Sequence, residues 1–450
     1  MNNNFLLTGS LSRKLYHKVA KDLPIIDYHN HLEIKEIAEN KKYENISRLW
    51  IISDPYKHRA MRILGVPERY ITGDATDYEK FKAWYDILPS LVGNPLYDWS
   101  LMELETVFGF TLSKNVSAKD AWDILNGKLD SMTSKNILGK FKVEYSAPCA
   151  AICDDLTPFH STSELAPSLR ADELLLPTKA LLEKLSLASG TDIKSLSDYL
   201  SAINERLLEF KSVGCVFTDH ALDNGFCFKG DDGENERRFS AVCSSTPITD
   251  EDEVKLKSYL LKSLLKLYAH HAFTVQLHIG AQRKTSSRLL NIAGAAGGYA
   301  AIGSSVDVSS ITSLFDTVEA EGGGLPKILL FTLNPADNAV MATLSGSYSK
   351  DGETALISQG PAWWWCDHYG GIIDMLDSFT CHSVLSTFIG MTTDSRSILS
   401  FVRHDYFRRV LCEWVADMVK KGRMPNDLAL LSETVSKICY YNAKQVLERK

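Results

Sequence analysis

Eight short apolar runs, each ending in a polar residue of chemical interest, constrain the fold of this chain more than any other feature. They read PIIDYHNH (24–31), APCAAICDD (147–155), ELAPSLR (164–170), VGCVFTDH (213–220), FTVQLHIG (273–280), KILLFTLNP (327–335), TALISQGPAWWW (354–365) and VLSTFIGMTTDSR (384–396). Each is short for a helix, whereas segments between them, such as KLKSYLLKSLLKLYAHHA (255–272), repeat leucine at three and four residues. Eight strands alternating with helices predict an α/β chain folded as a (β/α)8 TIM barrel, with its active site at the carboxyl ends of the strands. The groups H-x-H, DD, R, DH, HIG, NP, QG and DSR collect at those ends. Polar residues without a shared role would scatter over both strand ends.

Two crossovers distort the simple pattern. About 115 residues separate the first run from the second, far more than one helix needs, and LWIISDPYKHRAMRILGV, ERYITGDATDYEKFKAWYDILPSL and SAKDAWDILNGKLDSM all have helical periodicity and capping-type starts. A helical insertion over 35–140, packed over the barrel mouth, is expected within a single domain spanning 1–450. The second crossover, LTPFHSTS (156–163), is too short for a full helix. The glycine-diluted run at 289–306 reads as a flexible loop, and KGDDGENERR (229–238) as a solvated one.

Composition narrows the partners. Net charge is −7 with no block of like charges, which argues against nucleic acid. No run has the sustained hydrophobicity of a membrane span, and MNNNFLLTGS does not read as a secretory signal. Nine cysteines without C-x-x-C spacing argue against a complete disulfide framework and for a reduced, cytoplasmic setting. A homo-oligomer is compatible with all of this.

His29 and His31 lie one residue apart at a strand end, so their rings point to one side while Asn30 alternates away. Such a pair suits a divalent metal, and equally two rings satisfied by hydrogen bonds. Strands one and eight are neighbours in a closed barrel, which brings Asp394 to the same place. Two imidazoles and a carboxylate suit Zn2+ or Mn2+.

The chain resembles the uronate isomerases of the amidohydrolase superfamily in FLLTGSLSRKLYHKVAKDLPIIDYHNHL, AENKKYENISRLWIISDPYKHRAMRILGV, ITGDA, GNPLYDW, QLHIGAQR, LPKILLFTLNP, GPAWWW, GMTTDSRSILSFVRHDYFRR and ICYYNA, in order along nearly its whole length. It departs from them at Asn30, at Pro55 and His58, in its short second crossover, and after QLHIGAQR, where it reads GGYAAIGSSVDVSS. The resemblance implies a distorted barrel, a divalent metal such as Zn2+, and interconversion of D-glucuronate with D-fructuronate and of D-galacturonate with D-tagaturonate.

That reaction moves hydrogen from C2 to C1 of the open-chain sugar through an enediol, and needs a base, an acid and a site for the oxyanion. Asp394 is the expected base as well as a metal ligand with His29 and His31, and Tyr56 the expected acid. His278 is expected to bind metal or substrate. Arginine matches a hexuronate carboxylate, which points to Arg170 and Arg396, with Arg59 as a third. Trp363 and Trp364 offer flat walls for sugar C–H faces. His220, beside Asp219, reads as part of a structural pair. A metal-dependent hydrolase of a carboxylated sugar, lactone or amide is the competing activity, because the same ligands elsewhere activate water; a silent sugar-acid binder is a third.

Overall fold

The computed structural model describes residues 3–113, 115–161 and 164–449. Its strands are β1 Ile25–Asn30, β2 Val143–Ala151, β3 Ser168–Arg170, β4 Phe217–Leu222, β5 Thr274–Ile279, β6 Ala281–Gln282, β7 Ala301–Ile302, β8 Lys327–Thr332 and β9 Ile357–Gln359. All but β6 and β7 join one parallel sheet, in the order β1-β2-β3-β4-β5-β8-β9. Every residue of β1, β5 and β8 is buried, because helices cover one face and the barrel interior fills the other. Alternation along the strands puts Phe217, Leu329 and Phe331 into one inner apolar cluster. It raises Asp219 and His278, two residues after Phe217 and Gln276, to the carboxyl end.

The eighth run forms no strand, which corrects the eight-strand expectation. Residues 391–396 instead run beside β1, where the Asp394 N–H donates to His29 O at 3.0 Å and the His31 N–H to Ser395 O at 2.9 Å. Gly390 and Asp394 have φ of +87° and +44°, outside the extended region, so a regular ladder cannot continue. The Thr392 hydroxyl accepts the His29 N–H at 2.9 Å where a ladder carbonyl would stand. The result is a distorted (β/α)8 barrel whose last element is an irregular segment.

Between β1 and β2 lie helices including Pro55–Ile63, Asp77–Ile87, Pro95–Phe108 and Ala118–Leu129. Asp54 caps Pro55–Ile63 by accepting from the Tyr56 and Lys57 N–H groups at 2.9 and 3.2 Å. Buried Lys57 Nζ reaches Asp54 at 2.7 Å and Glu103 at 3.5 Å, tying that helix to Pro95–Phe108. In the second crossover only a short turn of helix, Thr157–Ser161, is present among the described residues; Thr162 and Ser163 of the LTPFHSTS run lie outside them.

Two of the loop readings need correction. The 289–306 run overlaps helix Ser287–Ala293 and contains β7, which pairs antiparallel with β6. At Gly298, φ +79°, a Cβ would stand 2.2 Å from Pro55 O, so only glycine lets this segment lie on the Pro55–Ile63 helix. In 229–238, Arg238 is buried and paired with Asp232 and Asp252, both at 2.7 Å, and helix Asn235–Cys243 starts there. No described helix is long and apolar enough to cross a membrane.

Candidate active site

A cavity of about 560 Å³ opens at the carboxyl ends of the strands, lined among others by His29, His31, Tyr56, Arg170, His278, Trp363, Trp364, Asp394 and Arg396. His29 Nε2 and His31 Nε2 lie 3.3 and 3.0 Å from the same atom, Asp394 Oδ1. Bonds of about 2.0–2.1 Å to one tetrahedral ion put donors about 3.4 Å apart, close to these two separations; the donors that all lie within 4.8 Å of one another are His29 with His31 and Cys149, and His29 with Asp219 and His278. The other Asp394 oxygen accepts from Trp363 Nε1 at 2.7 Å, which fixes the carboxylate's orientation. His29 Nδ1 faces Cys149 Sγ at 3.7 Å and Asp219 Oδ1 at 3.9 Å.

Burial disfavours a charged His29, but the Cys149 thiol and the Asp219 and Asp394 carboxylates outweigh it and hold its pKa well above the usual imidazole value. Burial likewise opposes ionisation of Asp394, yet the two imidazoles hold its carboxyl well below the ordinary range. His278 stands 4.6 Å, ring to ring, from His29 and stacks on Phe331 at 4.6 Å. Both its ring nitrogens are buried without a hydrogen-bond partner among the described residues, and burial keeps its pKa well below the usual value. Its ring thus holds unused donor and acceptor capacity beside His29 and Asp219, whose Oδ2 stands 3.9 Å from Nδ1.

Tyr56 sits at the cavity wall with a buried hydroxyl that has no hydrogen-bond partner among the described residues, and burial raises its pKa well above that of a free phenol. Trp363 lies 4.8 Å from His278. Trp364, with φ +50°, turns the chain so that its ring lines the cavity while Trp365 packs on Tyr56 at 5.1 Å. Trp364 and Trp365 stack on each other at 4.9 Å, while Trp363 is tilted to Trp364 by 50° and turned toward His278.

The arginines divide. Arg396 is exposed at the rim and makes no ion pair among the described residues. Arg170 lines the cavity but is already paired with Asp219 at 2.9 Å and Asp172 at 2.7 Å, so its charge is largely matched by the protein. Arg59 does not reach the cavity, which corrects its expected role: its guanidinium donates to Ala300 O at 3.1 Å and covers Trp365 at 4.7 Å. His220 points to the other face of β4 and meets the Tyr268 hydroxyl at 3.0 Å.

Sequence reasoning missed several residues that build this site. Cys149 and Arg283 line the cavity without a spacing signal to mark them. Asp27, fully buried, accepts from Asn30, Thr392 and Thr393 and meets His404 Nε2 at 3.0 Å, joining β1 to the segment that carries Asp394. The register of β1 shifts between Asp27 and Asn30, so simple alternation along the strand does not reveal this role.

A glucuronate isomerase family model matches residues 1–447. The uronate isomerase of Caldanaerobacter subterraneus subsp. tengcongensis is 39% identical over 99% of both chains. That of Bacillus pumilus is 38% identical, covering 100% of this chain and 96% of the other. The crystal structure of uronate isomerase from Thermotoga maritima superposes with a TM-score of 0.92 at 28% identity over 99% of each chain. The match extends over the barrel, the insertion between β1 and β2 and the cavity, and the chain belongs to the glucuronate isomerase family.

Proposed function

We propose that the protein is an aldose-ketose isomerase of hexuronates, interconverting D-glucuronate with D-fructuronate and D-galacturonate with D-tagaturonate. The observation that carries this reading is the His29, His31 and Asp394 cluster in a cavity also lined by Tyr56 and by Arg396, which makes no ion pair among the described residues. His29, His31 and Asp394 would hold the divalent ion, Zn2+ in the first instance and Mn2+ as the alternative. Once bound, the ion supplies Lewis-acid polarisation of the sugar oxygens.

The chain's own groups account for the proton movements. Asp394, oriented by Trp363, takes the proton from C2 and returns it to C1. Tyr56 gives its hydroxyl proton to the aldehyde oxygen and recovers one from the C2 hydroxyl as that carbon becomes the ketone, so the enediol forms and collapses with no net change in mass. Neutral His278 offers a hydrogen bond to a sugar oxygen without adding charge. Arg396, at the rim, receives the C6 carboxylate with its planar fork. Arg170 holds Asp219 in place as well as facing the substrate, and Trp363 and Trp364 wall the C–H face of the sugar. Nine free cysteines favour a reducing compartment, the cytoplasm.

Purified protein incubated with each aldo-uronate should form the matching ketose. With C2-deuterated glucuronate in water the label should exchange with solvent; complete retention at C1 would replace proton transfer by a hydride shift. Absence of ketose from both substrates in the metal-loaded protein would refute the activity.

A further inference from the structure

Arg403 is 2% exposed and lies in the first turn of helix Val402–Lys420, outside the cavity lining. Its guanidinium carbon stands 4.5 Å from the centre of the Tyr56 ring and 4.2 Å from that of Trp99. Those two rings meet edge to face at 5.9 Å, so the cation packs against both. Nη1 donates to Asp367 Oδ2 and to Thr393 O, each at 3.2 Å, while Nε has no hydrogen-bond partner among the described residues. Thr393 directly precedes Asp394, and Asp367 follows the turn that begins at Trp363. One buried cation therefore touches the helix of the expected acid, the segment of the expected base and the loop of the indole that orients that base.

An apolar side chain would fill such a place at less desolvation cost, so the charge needs a reason. When Tyr56 gives up its proton, an anion forms on a ring that burial has taken out of water. A guanidinium against that ring stabilises the phenolate by short-range attraction in a low dielectric. The charged groups bearing on Tyr56 are Asp367 and Asp394, which oppose the phenolate, and Arg403, which favours it.

We propose that Arg403 is a positioning residue for the isomerisation: it fixes the Tyr56 ring in register with Asp394 and stabilises the phenolate left when the Tyr56 hydroxyl protonates the sugar's oxyanion. In that step the phenol O–H bond breaks and the sugar O–H bond forms, and the C2 hydroxyl later returns a proton to the phenolate. This rests on the reading of Tyr56 as the acid.

The test is a double-mutant cycle on the metal-loaded protein, with Arg403→Lys and Arg403→Met made alone and together with Tyr56→Phe, and with thermal unfolding and metal content checked for each. Arg403→Lys should lower kcat by about tenfold and Arg403→Met by about a hundredfold, with KM changed less than about threefold, and either loss should shrink below about twofold once Tyr56→Phe is present. If Arg403→Met fails to fold, the lysine variant completes the cycle. Equal losses in both backgrounds, or losses confined to KM, would overturn the coupling. Full kcat in Tyr56→Phe alone would instead remove the acid role, and the coupling with it.

Discussion

Replacing Asp27 by asparagine should disable the site without touching any residue that lines the cavity. Asp27 Oδ2 accepts from Asn30 Nδ2 at 2.7 Å and from the Thr393 hydroxyl at 2.8 Å, while Oδ1 accepts from the Thr393 N–H at 2.6 Å and the Thr392 hydroxyl at 3.0 Å and meets His404 Nε2 at 3.0 Å. The least disruptive arrangement of Asp27→Asn keeps Oδ1 and sets an NH2 where Oδ2 was, depriving two donors of their acceptor. Hydrogen bonds to a charged acceptor are worth about 1.5–3 kcal/mol each, so the loss is about 3–6 kcal/mol. Part of that loss reaches catalysis, because Thr392 and Thr393 carry the backbone into Asp394, and a displacement of about 1 Å in a reacting group costs about a hundredfold in rate. Thermal unfolding, metal content and kcat on glucuronate measure the three consequences. A variant that keeps its midpoint within about 1 °C and its kcat within about threefold would refute the idea that this carboxylate holds the site together.

Chelation should abolish activity and lower the unfolding midpoint, and Zn2+ or Mn2+ should restore both; at a hundredfold excess over Kd the ion contributes about 2.7 kcal/mol. An unchanged midpoint on chelation would argue against a structural metal contribution. Arg396→Ala should raise KM for glucuronate at least about tenfold with a smaller effect on kcat, whereas Arg170→Ala should cost about 3–5 kcal/mol of stability because it strands buried Asp219 beside Asp172. Equal unfolding midpoints for the two variants would contradict that division. Lys327 is buried against Thr354 O and Ala355 O, and burial lowers its pKa to about 8. Because the unfolded chain binds the proton more tightly, wild type should gain up to about 3 kcal/mol over Lys327→Met as pH rises from about 8 to about 10.5, and lose it again on return. A stability difference that stays flat across that window would show that Lys327 is not perturbed.

Local pattern in the sequence marked the seven segments that become strands of the main sheet and the end of the barrel where chemistry collects. Period-two alternation aims His29 and His31 together, and apolar runs bounded by helical periodicity imply a barrel with its site at one end. The ordered family motifs carried identity as well. What the sequence by itself left open was pairing between distant residues, because the partner of a charge depends on which loops meet in space. Arg170 and Arg396 look alike as residues at strand ends, yet one is matched by Asp219 and Asp172 while the other faces the open rim. Arg59, on the same helix as Tyr56, turns to Ala300 instead of the cavity. The eighth run became an irregular closing segment because two positive-φ residues and a threonine hydroxyl replace ladder geometry there. Only tertiary structure could place Asp27 and Arg403 behind Asp394 and Tyr56, since burying an ion is tolerable only where groups from several separate segments converge to compensate it.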